Sequence, residues 1–204
     1  MTTGLRERKR RRTHDTISAV AISLFLERGF DDVSVADIAE AAEVSKPTLF
    51  RYFPSKEDLV LHRIADHQGE AARIVRERGD VVEPIDALHR HFVDGLARRD
   101  PVTGLNDHPE VLAFHRMVFG TRALAARVVA YAEADEVALA EALAETASPG
   151  PVPVAAALHA AQIVAVQRVL ARENWRQLIE GRAASDLYPD AVAAADYAFA
   201  SLRE

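Results

Sequence analysis

Between Val33 and Lys56 the chain reads VSVADIAEAAEVSKPTLFRYFPSK, a stretch that leaves little conformational choice. Ser34 precedes Val35-Ala36-Asp37, a start in which the hydroxyl caps free amides and the carboxylate suits the first helical turn. Val35, Ile38, Ala39 and Ala42 then fall at i, i+3, i+4 and i+7 and make one apolar stripe. Ala39 and Ala42 are small enough for a second helix to approach closely. Glu43-Val44 is read as a turn. Ser45 is an N-cap, with Lys46, Pro47 and Thr48 in the next first turn, where proline costs no intrahelical bond. Leu49 and Phe53 point inward, which leaves Lys46, Thr48, Arg51 and Tyr52 outside. Phe53-Pro54 ends that helix, and Ser55 caps another. Upstream, Ile17, Val20, Ala21, Leu24 and Phe25 form a further stripe closed by Gly29. Three helices are thus predicted to pack around Leu24, Phe25, Val35, Ile38, Leu49 and Phe53. The second and third form a helix-turn-helix, a shape that places a helix end in a DNA major groove.

Residues Ile17 to Leu59 resemble the DNA-binding domain of the TetR family of bacterial transcriptional regulators, through the run LFLERGFDDVSVADIAEAAEVSKPTLFRYFPSKEDL. The resemblance covers about a quarter of the chain. Three positions depart from the family's pattern. Glu43 stands where glycine is frequent, so the turn is expected to hold a non-glycine residue at positive φ. Pro47 replaces a frequent glycine and removes an amide. Phe50 replaces the usual tyrosine and lacks its phosphate-contacting hydroxyl. With the motif in place, the candidate DNA-binding residues are Ser34, Ser45, Lys46, Pro47, Thr48, Arg51, Tyr52 and Lys56. Lys46 and Thr48 lie nearest the base edges, and Arg51 and Tyr52 are expected on phosphates. Lys56, beside the Ser55 cap, is expected to hold a phosphate at a helix start. Ser34 is either a cap alone or a further contact.

Charge distribution agrees with DNA binding through one end. The chain has a net charge of −6, yet residues 1–14 carry six basic residues against Glu7. Residues 1–56 sum to +2 and residues 57–204 to −8. The arm Arg6–Arg12 is either a disordered tail or a tether to the minor groove or to phosphates. There are no cysteines, which excludes disulfides and thiolate metal sites. The sequence shows no run of about eighteen apolar residues and no signal-peptide pattern, so a cytoplasmic protein off the membrane is expected. His-Glu-x-x-His, a glycine-rich phosphate loop and a Gly-x-Ser-x-Gly elbow are all absent from the sequence. The expectation is therefore no enzyme, no metal and no cofactor.

Alanine richness and few β-branched runs predict an all-α fold. A helix-turn-helix domain over 1–55 is expected to precede a larger helical domain over 56–204. Lys56 to about Arg78 reads as one long helix, broken at Gly79-Asp80. Further helices are predicted over Ile85 to Arg98, Pro109 to Phe119, Thr121 to Ala147, Val154 to Glu173 and Pro189 to Leu202. The clearest loop is Ser148-Pro149-Gly150-Pro151. The last two helices carry more apolar residues than one buried stripe needs. The resemblance implies a homodimer built from them, with Val154, Leu158, Ala161, Ala165, Val192, Ala195 and Phe199 at the interface. It also implies a small-molecule effector inside the body. Candidate pocket residues are His62, Phe92, Phe114, Met117, Phe119, Gln162 and Trp175. The functional expectation is a dimeric regulator of a double-stranded operator, a repressor released by its effector. Two alternatives stay open: a regulator controlled by a protein partner, and a helical binding or carrier module.

Overall fold

The computed structural model describes residues 3–79, 81–146 and 154–203. Every regular element among the described residues is helical. The order is α1 (Thr3–Arg28), α2 (Val35–Ala41), α3 (Lys46–Tyr52), α4 (Asp58–Ala65), α5 (Glu70–Glu77), α6 (Pro84–Ala97), α7 (Pro109–Gly120), α8 (Arg122–Thr146), α9 (Val154–Ile179) and α10 (Ala184–Ala200). Single 3-10 turns at Pro101–Thr103 and Ser201–Arg203 complete it. The chain forms two compact units, one of Met1–Asp66 with Ala113–Val128, the other of His67–Leu112 with Val129–Glu204. It divides after Asp66 rather than Ser55 because α4 belongs to the first core: Leu59, Val60 and Leu61 are fully buried there.

In the first unit, Ile17, Ala21 and Phe25 of α1 are buried together with Ile38 of α2, Leu49 of α3 and Phe53. Each large apolar side chain removed from water contributes about 1.5–3 kcal/mol, an upper estimate given residual burial in the unfolded chain. Of the predicted core, Leu24 and Val35 are only half-buried. The basic arm is not a disordered tail: from Thr3 onward it is the first part of α1. The side chain of Arg6 lies outside the described residues.

The long helix expected over Lys56–Arg78 is two helices. Four residues, Asp66 to Gly69, interrupt it, and Gly69 adopts φ 71°, which costs a glycine little. The Gly69 amide donates to the Asp135 carboxylate at 2.8 Å, so the break is held from α8. Burial raises the pKa of that carboxyl group, although the Gly69 amide pulls the other way.

The second unit packs Leu88 and Leu96 of α6, Leu139 of α8, Ile163 of α9 and Leu187 of α10 into one core. Its helix starts differ from expectation in one place. α10 begins at Ala184 rather than Pro189, and Pro189 lies inside it. The Asp107 carboxylate accepts the Ala184 amide at 3.0 Å and so anchors that earlier start. Ser148-Pro149-Gly150-Pro151, predicted as a loop, and the Asp80 half of the Gly79-Asp80 break lie outside the described residues. The connection between α6 and α7 is pinned by Asn174, whose amide donates to the Thr103 carbonyl at 2.9 Å within the core. Gly104 follows at φ 73°, and a Cβ built there would stand 1.9 Å from the Ala171 carbonyl oxygen.

Two glycines with similar backbone angles therefore predict different costs. At Gly69 no atom lies within 4 Å of the built Cβ, so Gly69→Ala should lose about 1–2 kcal/mol from the left-handed backbone alone. Gly104→Ala adds overpacking against backbone and should lose roughly 3 kcal/mol or more. Chemical denaturation of the two variants checks the ranking.

Candidate nucleic-acid interface

The helix-turn-helix is built from two local caps and one strained residue. At the start of α2, the Ser34 amide donates to Asp37 Oδ2 at 2.8 Å while the Asp37 amide donates to Ser34 Oγ at 3.2 Å. The Ser34 hydroxyl and amide hold the Asp37 carboxyl below the usual carboxylate range. At the start of α3, the Thr48 amide donates to Ser45 Oγ at 3.2 Å, and the two hydroxyls lie 2.8 Å apart. Between the helices Glu43 sits at φ 54°. The Val44 amide then closes on the Ala39 carbonyl at 2.9 Å. The expected non-glycine residue in the left-handed region is therefore present, at a cost of about 1–2 kcal/mol.

Burial fixes which face of α3 points outward. Leu49 and Phe53 are 0% and 1% exposed, whereas Lys46, Pro47, Phe50 and Arg51 are exposed. Thr48 and Tyr52 are half-buried at the margin of that face. The Arg51 guanidinium lies 5.6 Å from the centre of the Tyr52 ring. Phe50, considered in the sequence only for its missing hydroxyl, is a large apolar group on the outer face at 46% exposure. Its position four residues after Lys46, about 100° around the helix from Leu49, is the signal that identifies it.

Lys56 turns back toward the end of α1. It is half-buried, and Nζ donates to the Phe30 carbonyl. The same ammonium lies 4.3 Å from the Phe30 ring centre and 5.6 Å from that of Phe25. These contacts tie the α3–α4 connection to the end of α1. Ser55 and Asp58 exchange hydrogen bonds just ahead of α4, whose N-cap is Glu57 rather than Ser55, with the Ser55 amide 3.0 Å from Asp58 Oδ2. Asp58 also meets Arg127 at 3.4 Å.

The pocket candidates are divided between the two units. His62, Phe114, Met117 and Phe119 belong to the first unit, and Phe92, Gln162 and Trp175 to the second. His62 is part of the first unit's interior: its Nε2 lies 2.9 Å from the Ser18 hydroxyl and its ring meets those of His14 and Phe53. Burial and the neighbouring His14 lower its pKa below the ordinary histidine value. Phe92 is buried against Phe199 in the second core. Two dimer candidates are corrected for the same reason. Ala195 and Phe199 are fully buried within the protomer, and Val192 packs against that core. Ala161 and Ala165 are half-buried, while Val154 and Leu158 are exposed.

Residues 17–62 match the family model described as bacterial regulatory proteins, tetR family. TcmR of Streptomyces glaucescens, an HTH-type transcriptional regulator, is 38% identical over 145 residues, 69% of this chain and 63% of TcmR. The chain thus spans less than two thirds of TcmR. MftR of Mycobacterium tuberculosis, a transcriptional regulator named for mycofactocin biosynthesis, is 31% identical over 60% of this chain and 67% of its own length. Among solved structures, NalD of Pseudomonas aeruginosa, the secondary repressor of the MexAB-OprM efflux pump, is 17% identical. It superposes over 93% of this chain and 97% of its own with a TM-score of 0.61. Salmonella enterica GusR gives 0.56 at 21% identity over 93% of each chain. These two structures establish likeness of fold.

The geometry at Lys56 generates a test. Lys56→Ala should destabilise the first unit by about 2 kcal/mol through the lost charged hydrogen bond and ring contacts. The salt dependence of duplex binding should stay as in the wild type. A slope reduced by about one would return Lys56 to the phosphate contacts.

Proposed function

Since the chain belongs to the TetR family of bacterial regulatory proteins, we propose that it is a homodimeric repressor which reads a two-fold operator through α3 and leaves it when a small molecule binds the second unit. The observation that carries this reading is the outer face of α3. Lys46, Pro47, Phe50 and Arg51 project together because Leu49 and Phe53 are held in the core. A convex helix face with two cations and an exposed ring suits a major groove, about 12 Å wide, which presents base edges and thymine methyls. Lys46 and the side chain of Thr48 are nearest the amino end that enters the groove. The Thr48 hydroxyl already has Ser45 as a partner, so Thr48 would meet the bases mainly by its methyl group. Arg51 and Tyr52 are assigned to phosphates, which position the helix without reading sequence.

Dimerisation is supported by the apolar surface of the last two helices. Val154, Leu158 and Val169 of α9 are exposed at helical spacing, and Tyr197 of α10 is 80% exposed. By length and composition α9 is apolar enough to cross a bilayer, yet little of it is buried within the protomer. A second copy covering α9 and α10 would bury that surface and supply the two-fold axis that a palindromic operator requires. This interface replaces Ala195 and Phe199 with outward residues of the same helices.

Effector release then follows from linkage. A ligand that prefers a dimer state with a different spacing of its two α3 helices must weaken operator binding by the same factor that DNA weakens ligand binding. The interruption at Asp66–Gly69 leaves two short helices, α4 and α5, where the sequence predicts one, and the Gly69 amide is held by Asp135.

Selection of duplexes from the source genome, followed by footprinting, gives the operator. Lys46→Ala and Thr48→Ala should change base preference at defined positions, each costing about 1–3 kcal/mol there. Arg51→Ala should weaken all duplexes alike. No enrichment of any duplex by the wild-type protein would end the regulator reading. In the same assay Leu158→Arg should give monomers by light scattering and lose on the order of a hundredfold in affinity for a two-half-site duplex. A dimer unaffected by this change would move the interface elsewhere.

A further inference from the structure

We infer that the basic start of α1 is a helical phosphate clamp: Arg8, Lys9 and Arg12 hold the sugar–phosphate backbone of duplex DNA beside the turn of the helix-turn-helix, from outside both grooves. The inference rests on the DNA-binding reading above and adds a surface to it.

Three observations carry it. First, the arm is helical from Thr3 onward. A helix with its side chains is about 10–12 Å across, and a B-DNA minor groove is about 6 Å wide. An arm in this form does not thread a minor groove as an extended segment does. Second, the arm does not project into empty space. Arg8, Lys9, Arg12 and Thr16 line an open hollow of about 600 Å³ whose other wall includes Glu43 and Val44, the turn that leads into α3. In helix-turn-helix proteins the element ahead of the recognition helix lies across the duplex backbone. A duplex read by α3 therefore brings phosphates to this wall. Third, the charges in the hollow are unbalanced, with three cations against Glu43. Arg8 and Arg12 lie four residues apart, a like-charge arrangement that disfavours a helix unless an anion offsets it.

The neighbouring side chains sort the arm's cations. Arg10 is paired with Glu7 at 2.8 Å through a forked contact, which lowers the Glu7 pKa. Arg8 uses Nε on the Gly4 carbonyl at 3.1 Å, which orients its guanidinium without neutralising it. The Thr13 and Thr16 hydroxyls turn back to the Lys9 and Arg12 carbonyls, so they brace the helix rather than compete for the anion. The clamp is thus Arg8 and Arg12 with Lys9, and Arg10 stands apart.

The test uses the full chain and a duplex selected by the wild-type protein, with a mixed-sequence duplex of equal length beside it. Affinity is measured across a salt series. In Arg8→Ala/Arg12→Ala the slope of log affinity against log salt should fall by about two, with equal proportional loss on both duplexes. Arg8→Lys/Arg12→Lys should restore most of the slope, since a phosphate clamp needs charge more than a fork. Arg10→Ala should leave the slope close to wild type. Alanine favours helix, and circular dichroism confirms that the arm stays folded. An unchanged slope in the double alanine variant overturns the clamp while leaving the regulator reading intact. An equal drop for Arg10→Ala overturns it in favour of diffuse attraction by a charged tail. A loss confined to duplexes with A·T-rich flanks overturns it in favour of minor-groove reading. Failure of the wild type to bind either duplex removes both the clamp and the regulator reading.

Discussion

The anchoring of Leu49 and Phe53 governs what the first unit offers to a partner. A seven-residue helix makes few hydrogen bonds of its own and is not stable alone. Its orientation comes from those two side chains, both buried in the first unit's core, where the Phe53 ring meets His14 of α1 and His62 of α4. Rotating α3 to expose either would forfeit about 1.5–3 kcal/mol per side chain. The outward position of Lys46, Pro47, Phe50 and Arg51 is therefore a consequence of the core.

Other features of the unit hold that geometry at both ends of α3. Ser45 and the left-handed Glu43 set the angle at which the chain enters the helix. Lys56 sets the exit, because its ammonium is shared between the Phe30 carbonyl and two aromatic rings. The same residue illustrates a general difficulty. A lysine after a serine cap has the same local sequence whether it faces an anion or reaches back to a carbonyl twenty-six residues earlier. Long-range contact alone distinguishes the two.

The second unit shows the same division of labour between stripe and surface. α9 and α10 each carry apolar residues on more than one face. One set closes the protomer's own core through Ile163, Ala195 and Phe199. The other, from Val154 to Val169 and at Tyr197, is left outside. Composition identifies the excess of apolar side chains but does not assign them to faces, since a shift of one helical position exchanges the two sets.

Local chemistry in the chain was sufficient to determine the helix-turn-helix. Its caps involve residues three apart, its strained turn is one residue, and its apolar spacing is a local property. The start of α6 at Pro84, one residue before the predicted Ile85, and that of α7 at Pro109 were legible for the same reason. What tertiary structure decided were the features that depend on distant partners: the break at Gly69 held by Asp135, the early start of α10 at Asp107, and the inward turn of Lys56 and His62. The assignment of Ala195 and Phe199 to the core belongs with them. Each depends on a contact between residues far apart in the chain, and the energy of such a contact is set by packing that no short window of sequence contains.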